Sequence, residues 1–294
     1  MSQNKEKYFI WQINGGLGKN VAGTALCKDI KEKYPDRKFI LVASFPEIFL
    51  NNPYIDRVYN TGHLNHFYKD YIEDKDSIIC NHEPYFQSNH ISKKQHLIKS
   101  WCELLDIKYN NQQPKLYYNL AQLKSYSKYP SQKPILLLQT GGGPMDDPSP
   151  YNWARDLPEE IGQLLVQKYS SQYDIIQVTR PNGYQLPNVR VMTEPLKNMG
   201  LFGLIGVSSK RILIDSCLQH AASALEMPST VFWIGTSPIT FGYKLHNNII
   251  VQNSKKANQL IYSTFFDYRF NNNEEECPYD NWQEMFNIDI INSI

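Results

Sequence analysis

Tyr8-Phe9-Ile10-Trp11-Gln12-Ile13-Asn14-Gly15-Gly16-Leu17-Gly18-Lys19-Asn20 runs from a short apolar strand straight into a glycine-rich turn. From Asn20 to about Tyr34, Val21, Ala25, Leu26 and Ile30 fall near helical spacing, and Pro35-Asp36 closes the helix. Residues 39–43 (FILVA) then form an unbroken apolar run, as in a parallel strand covered on both faces. Strand, turn, helix and strand together predict a βαβ unit at the start of the chain.

Outward from this unit, strands are expected at residues 57–59 and 77–80. The polar loop Asn81-His82-Glu83-Pro84-Tyr85 follows, then a helix over residues 92–105 with Leu97, Ile98, Trp101, Leu104 and Leu105 on one face. Residues 109–133 are polar and mark a domain boundary. The pattern then restarts with a buried strand at 134–138 and a second glycine-rich turn, Gln139-Thr140-Gly141-Gly142-Gly143. Helices at 157–168, 201–207 and 219–225 alternate with strands at 174–178, 211–214 and 230–234. The expected fold is α/β, with two Rossmann-like domains over residues 1–125 and 126–294. The aromatic stretch 262–270 is read either as core or as a C-terminal segment returning to the N-terminal domain.

The length of 294 residues suits two domains, and 41% apolar residues suffice for two cores. With 30 basic and 29 acidic residues, the net charge of +1 disfavours a polyanion-binding surface. Cys27, Cys80, Cys102, Cys217 and Cys277 are scattered and odd in number, which predicts free thiols and no zinc site. The N-terminal apolar run reads as a strand, not a signal peptide, and no stretch approaches a membrane span. A cytoplasmic protein is the expectation.

The chemistry concentrates in Ile214-Asp215-Ser216-Cys217-Leu218-Gln219-His220-Ala221-Ala222-Ser223-Ala224-Leu225-Glu226-Met227-Pro228, followed by a strand and Gly235-Thr236-Ser237-Pro238. A strand delivers Asp215 to its C-terminal end. The helix then opens with the amides of Ser216, Cys217 and Leu218, which suit a diphosphate. The same residues read equally well as a simple N-cap.

This segment resembles the D-S-G-x-x-H-x-A-A-A-L-G-x-P signature of glycosyltransferase family 9, the ADP-heptose:lipopolysaccharide heptosyltransferases. Trp11 to Gly18 resembles that family's first strand and turn. Residues 136–153 resemble its block of strand, glycine-rich turn and K-x-W-P, with Trp153 kept and Asn152 in place of the lysine. The resemblance implies the GT-B architecture, two Rossmann-like domains whose parallel sheets face across a cleft. It implies a metal-independent, inverting transfer from a nucleotide-diphosphate sugar held by the C-terminal domain, with no cofactor. Asp215 would bond a sugar hydroxyl, and His220 would face the same place. Gly16, Gly18, Thr140, Gly141, Gly142 and Gly143 would let the backbone approach the donor, and Arg180 would pair with a phosphate. His220 also reads as a buried helix residue, residues 140–143 as a plain tight turn, and Arg180 as surface.

Two positions depart from the family pattern. Its G-D aspartate, a candidate general base, is Lys19 here, better suited to the leaving diphosphate. Its signature glycine is Cys217. Glu83 and His82 are therefore the candidate bases, with Tyr85, His90 and His96 as possible acceptor contacts and Asp146 and Asp147 as further carboxylates. The first group reads at least as well as a solvated polar loop. A lipopolysaccharide-like glycan is the favoured acceptor, and a modified DNA base the less favoured one. The alternative is a nucleotide- or glycan-binding protein without catalysis.

Overall fold

The computed structural model describes residues 5–119, 121, 123, 130–142, 152–192, 197–253, 269–270, 273–274 and 277–294. The chain forms two compact units. The first runs to Gln87 and resumes at Leu97–Tyr118, and the second comprises Ser88–His96 and the chain from Asn119 on.

The first unit is built on β1 (Lys7–Ile13), β2 (Lys38–Ala43), β3 (Arg57–Asn60) and β4 (Asp76–Cys80), in the order β3-β2-β1-β4. All its pairings are parallel, with Ile10 opposite Ile40 and Trp11 opposite Leu41. β1 and β2 are buried along nearly their whole length, as their unbroken apolar runs require. The helix expected after β1 is present but interrupted: α1 (Leu17–Gly23), a 3-10 turn (Thr24–Leu26) and α2 (Cys27–Lys33). Thr24 Oγ1 donates to Val21 O at 2.6 Å and accepts from Lys115 N at 2.9 Å, so the hydroxyl competes with the regular ladder.

The helix expected over 92–105 is shorter. A single turn, Ser88–Ile91, is followed by Lys93 at φ 56, and α3 begins only at Leu97 (Leu97–Leu104). The amides of Lys93 and Lys94 turn back onto His90 O and Asn89 O at 2.9 and 2.8 Å, which closes the first turn before α3 starts.

The second unit carries β5 (Ile135–Gln139), β6 (Asp174–Val178), β7 (Arg190–Met192), β8 (Lys210–Ile214), β9 (Thr230–Trp233) and β10 (Asn247–Ile250). They form one parallel sheet in the order β10-β9-β8-β5-β6-β7. Helices α4 (Glu159–Tyr169), α5 (Asn198–Val207), α6 (Cys217–Ala224) and α7 (Ile288–Ser293) accompany it. β7 and β10 escaped the sequence reading because they are short edge strands, which need only one apolar flank.

Residues 277–294 pack on the second unit's own core. Met285, Phe286 and Ile291 join the core formed by Leu136, Ile161, Ile212 and Phe232. Phe286 meets Phe232 edge-on at 5.1 Å, and Gln252 N donates to Met285 O at 2.8 Å. Burying that apolar face on its own sheet is the favourable course. Of stretch 262–270, only Arg269–Phe270 lies within the described residues, paired with Asn273–Glu274.

Both sheets reverse their order beside their first strand, at β1/β4 in one and at β5/β8 in the other. Open α/β sheets bind ligands at the carboxyl ends of the strands flanking such a switch. Both glycine-rich turns and the Asp215 segment leave strands at these two places. In the first unit, a Cβ on Gly23 would lie 2.8 Å from Ile13 Cδ1 and 3.5 Å from Trp11, so α1 rests on β1 through a glycine. Gly23→Val should destabilise the chain by about 1–3 kcal/mol, read as a lower urea midpoint at unchanged m-value. An unchanged midpoint would refute this close packing.

Candidate active site

In the second unit, the loops after β5 and β8 touch. Ser216 Oγ donates to Gln139 Oε1 at 2.7 Å, and Gln139 Nε2 donates to Gly141 O at 3.1 Å. A Cβ on Gly142 would lie 3.2 Å from Ile214 Cδ1 and 3.4 Å from Ser216 Cβ. One on Gly141 would lie 3.1 Å from Thr179 Oγ1 and 3.3 Å from Arg180 N. The glycines thus permit the close approach of backbone to backbone here. Thr140 turns inward, its hydroxyl accepting from Gln177 Nε2 at 2.7 Å. Gly143, Asp146 and Asp147 lie outside the described residues.

Asp215 sits at the end of β8 and is 4% exposed. Burial raises its pKa, against the opposing pull of the Arg155 guanidinium and the Thr236 hydroxyl. Ser216 caps α6, its Oγ accepting from Leu218 N at 3.2 Å. That amide, expected at the phosphate, serves the cap. Cys217 stands in the first turn, and burial pushes its thiol up to about 11.

Arg155 is the residue that the sequence reading missed. Its charge acts on Asp215, Cys217 and Asp156 alike. It follows the 3-10 turn Asn152–Ala154, which Gly235 N holds through Ala154 O at 2.7 Å. Asn152 occupies the place of the family's lysine, and a search for a compensating cation nearby would have found Arg155. Arg180 is 7% exposed and forms an ion pair with Asp156, whose other oxygen accepts from Gly142 N at 3.1 Å. Arg180 therefore braces the β5 loop through Asp156.

His220 is buried on α6, with Nδ1 2.7 Å from Tyr243 Oη. Burial, with His96 and His246 nearby, pulls its pKa down to about 3, so the ring is neutral. His96 stands edge-on to Tyr243 at 5.4 Å, and His90 bonds Gln95 O at 3.1 Å. Both belong to the second unit, whereas Tyr85 belongs to the first.

In the first unit, Gly15 takes φ 100, a conformation that favours glycine, and Gly16 caps α1. No atom lies within 4 Å of a Cβ placed on Gly16, and Gly18 is half-buried within α1. Lys19, whose side chain is 5% exposed, forms an ion pair with Glu83, which arrives from the loop after β4. Its ammonium lies 4.9 Å from the Tyr85 ring and 5.9 Å from that of Trp101. Glu83 Oε1 also accepts from Tyr85 N at 3.3 Å, and His82 is exposed beside it. The loops of the β1/β4 switch are thus joined by this ion pair.

Two outcomes follow from the buried groups. His220 is unprotonated in the folded chain down to about pH 3, whereas in the unfolded chain it titrates near its ordinary 6.5. Its contribution is fully present above pH 6.5 and is lost as the pH falls from there towards 3. His220→Asn should flatten the urea-measured stability profile across that window, and an unaltered slope would contradict the buried neutral ring. Asp215 has the opposite sign: with its folded pKa raised, burying the carboxylate costs stability at neutral pH. Asp215→Asn should raise the thermal midpoint at pH 7, and a lower midpoint would show that the charge is instead stabilising.

No family model and no curated protein matches the sequence. Solved structures do match the fold. The glycosyl transferase family 9 protein of Veillonella parvula DSM 2008 aligns at a TM-score of 0.62 and 12% identity, over 83% of this chain and 85% of that one. The E. coli ADP-heptose lps heptosyltransferase II aligns at 0.64 and 12%, over 84% and 92%. E. coli heptosyltransferase WaaC, solved with ADP, aligns at 0.53 and 14%, over 82% and 92%. At such identities the likeness is one of fold, and the fold of this chain, two Rossmann-like α/β units with parallel sheets, is that of family 9 glycosyltransferase structures.

Proposed function

We propose that this chain is a glycosyltransferase that moves a sugar from a nucleotide-diphosphate sugar to an acceptor hydroxyl. The observation that carries the reading is the convergence at the β5/β8 switch. There a glycine-shaped turn, the start of α6, the buried carboxylate of Asp215 and the cation of Arg155 share one place. The positive end of α6 and Arg155 suit a diphosphate, in the ground state and still more as it leaves with added charge. Asp215 would accept a hydrogen bond from a sugar hydroxyl.

In the proposed reaction the acceptor oxygen attacks the anomeric carbon as the bond to the diphosphate breaks, with inversion and without a metal. The acceptor proton goes to a carboxylate, for which Glu83 is the candidate. Lys19, at the position of the family's aspartate, holds and orients Glu83 through the ion pair. The names of the structural relatives, an ADP-heptose lps heptosyltransferase and a heptosyltransferase bound to ADP, put ADP-sugars and lipopolysaccharide-like acceptors first in a panel. Hydroxylated DNA bases come second, because the net charge of +1 offers little attraction to DNA. The five free cysteines support a reducing, cytoplasmic setting, and among the described residues no helix is long and apolar enough to cross a membrane.

One observation favours a second reading, a nucleotide-binding protein without catalysis. The candidate base is already engaged by an ammonium. Incubation with a panel of nucleotide sugars and acceptors, following nucleoside diphosphate release and thermal shift, separates the two. Turnover is expected, with Glu83→Gln lowering kcat by about 10²–10⁴-fold while donor affinity holds. Stabilisation without turnover would favour the binder, and no response to any nucleotide would remove both.

A further inference from the structure

Between β4 and α3 the chain makes an excursion, Ser88–His96, that belongs to the second unit. Two ring contacts seat it there: His90 edge-on to Phe241 at 5.2 Å, and His96 edge-on to Tyr243 at 5.4 Å. At its turn, Lys93 adopts φ 56, fixed by its own amide on His90 O and that of Lys94 on Asn89 O. Glycine or asparagine would take this left-handed backbone at less cost. What lysine alone brings to the position is a long cationic side chain.

That side chain runs to the loop after β9, where Lys93 Nζ donates to Gly235 O at 3.4 Å. His90, Lys93, Thr236, Ser237, Thr240 and Phe241 line a recess at this loop. The recess adjoins the site at β5/β8 in two ways. Thr236, whose buried Oγ1 has no hydrogen-bond partner among the described residues, lies near enough to bear on the Asp215 carboxyl, and Gly235 N holds Ala154 beside Arg155. β9 is also the sheet neighbour of β8. A compact ammonium with three donors suits an oxyanion.

We propose that Lys93, with the Thr236 hydroxyl, binds an oxyanion of the donor, so that the Ser88–His96 segment completes the donor site. The inference rests on the nucleotide-sugar reading. Two parts of a donor supply this chemistry, a phosphate of the diphosphate or the carboxylate of an acidic sugar. The sequence reading named neither Lys93 nor Thr236 as a donor contact, since 120 residues or more separate Lys93 from β9 and from α6.

Calorimetric titration of the full chain with ADP, UDP, ADP-glucose and UDP-glucuronate tests this. Lys93→Asn and Lys93→Gly remove the cation while suiting the left-handed backbone, and Lys93→Arg keeps the charge. At least about a tenfold loss of affinity is expected in the Asn and Gly variants at an unchanged unfolding midpoint, with the Arg variant largely retaining binding. A loss shared by all four ligands assigns the phosphate, and one confined to UDP-glucuronate assigns the carboxylate. Should the Asn variant fail to fold, the Gly variant carries the measurement. Wild-type affinity in these variants overturns the role of Lys93 and leaves the nucleotide-sugar reading standing. If the unmodified chain binds none of the four, nor GDP, dTDP or CMP, both fall.

Discussion

The contact between Gly142 and the start of α6 governs the second unit's chemistry. Without a side chain on Gly142, the β5 loop reaches within van der Waals distance of Ile214 and Ser216, and Gln139 can receive the Ser216 hydroxyl at 2.7 Å. A Cβ there would stand 3.2 Å from Ile214 Cδ1 and 3.4 Å from Ser216 Cβ, so the neighbours would have to give by a few tenths of an ångström. The same constraint fixes the neighbours. Gly142 N reaches Asp156, Asp156 holds Arg180, and the turn before it delivers Arg155 to Asp215. The loops after β5, β6, β8 and β9 are thereby locked into one hydrogen-bonded assembly around a buried carboxylate.

That carboxylate is held against its own preference. Burial disfavours the charged form of Asp215, and Arg155 and Thr236 offset part of that cost. The first unit shows a related economy at its own switch. Lys19 and Glu83 bring opposite charges together among the rings of Tyr85 and Trp101, where neither charge alone would be tolerated so well.

Much of this was legible in the residues. The apolar runs of β1, β2, β5 and β8 and the two glycine-rich turns announced parallel α/β units, because a strand buried on both faces leaves an unbroken signal. The segment around Asp215 announced a strand end followed by a capped helix start, because an apolar run, Asp215-Ser216 and a small-residue helix follow one another there. The edge strands β7 and β10, the break at Lys93 and the docking of the C-terminal helix were not legible. Short edges carry little periodicity, a left-handed lysine has no sequence signature, and an apolar face does not say which sheet it will cover.

The sequence by itself determined which elements form and where the two glycine-rich turns and the helix start fall, since these depend on local periodicity, backbone permissiveness and capping. Only the tertiary structure decided the partners. It gave Leu218 N to Ser216, Arg180 to Asp156, His220 to Tyr243, Glu83 to Lys19 and Lys93 to the β9 loop. Those pairings depend on strand order and close packing, which bring distant side chains together at distances that spacing along the chain does not encode.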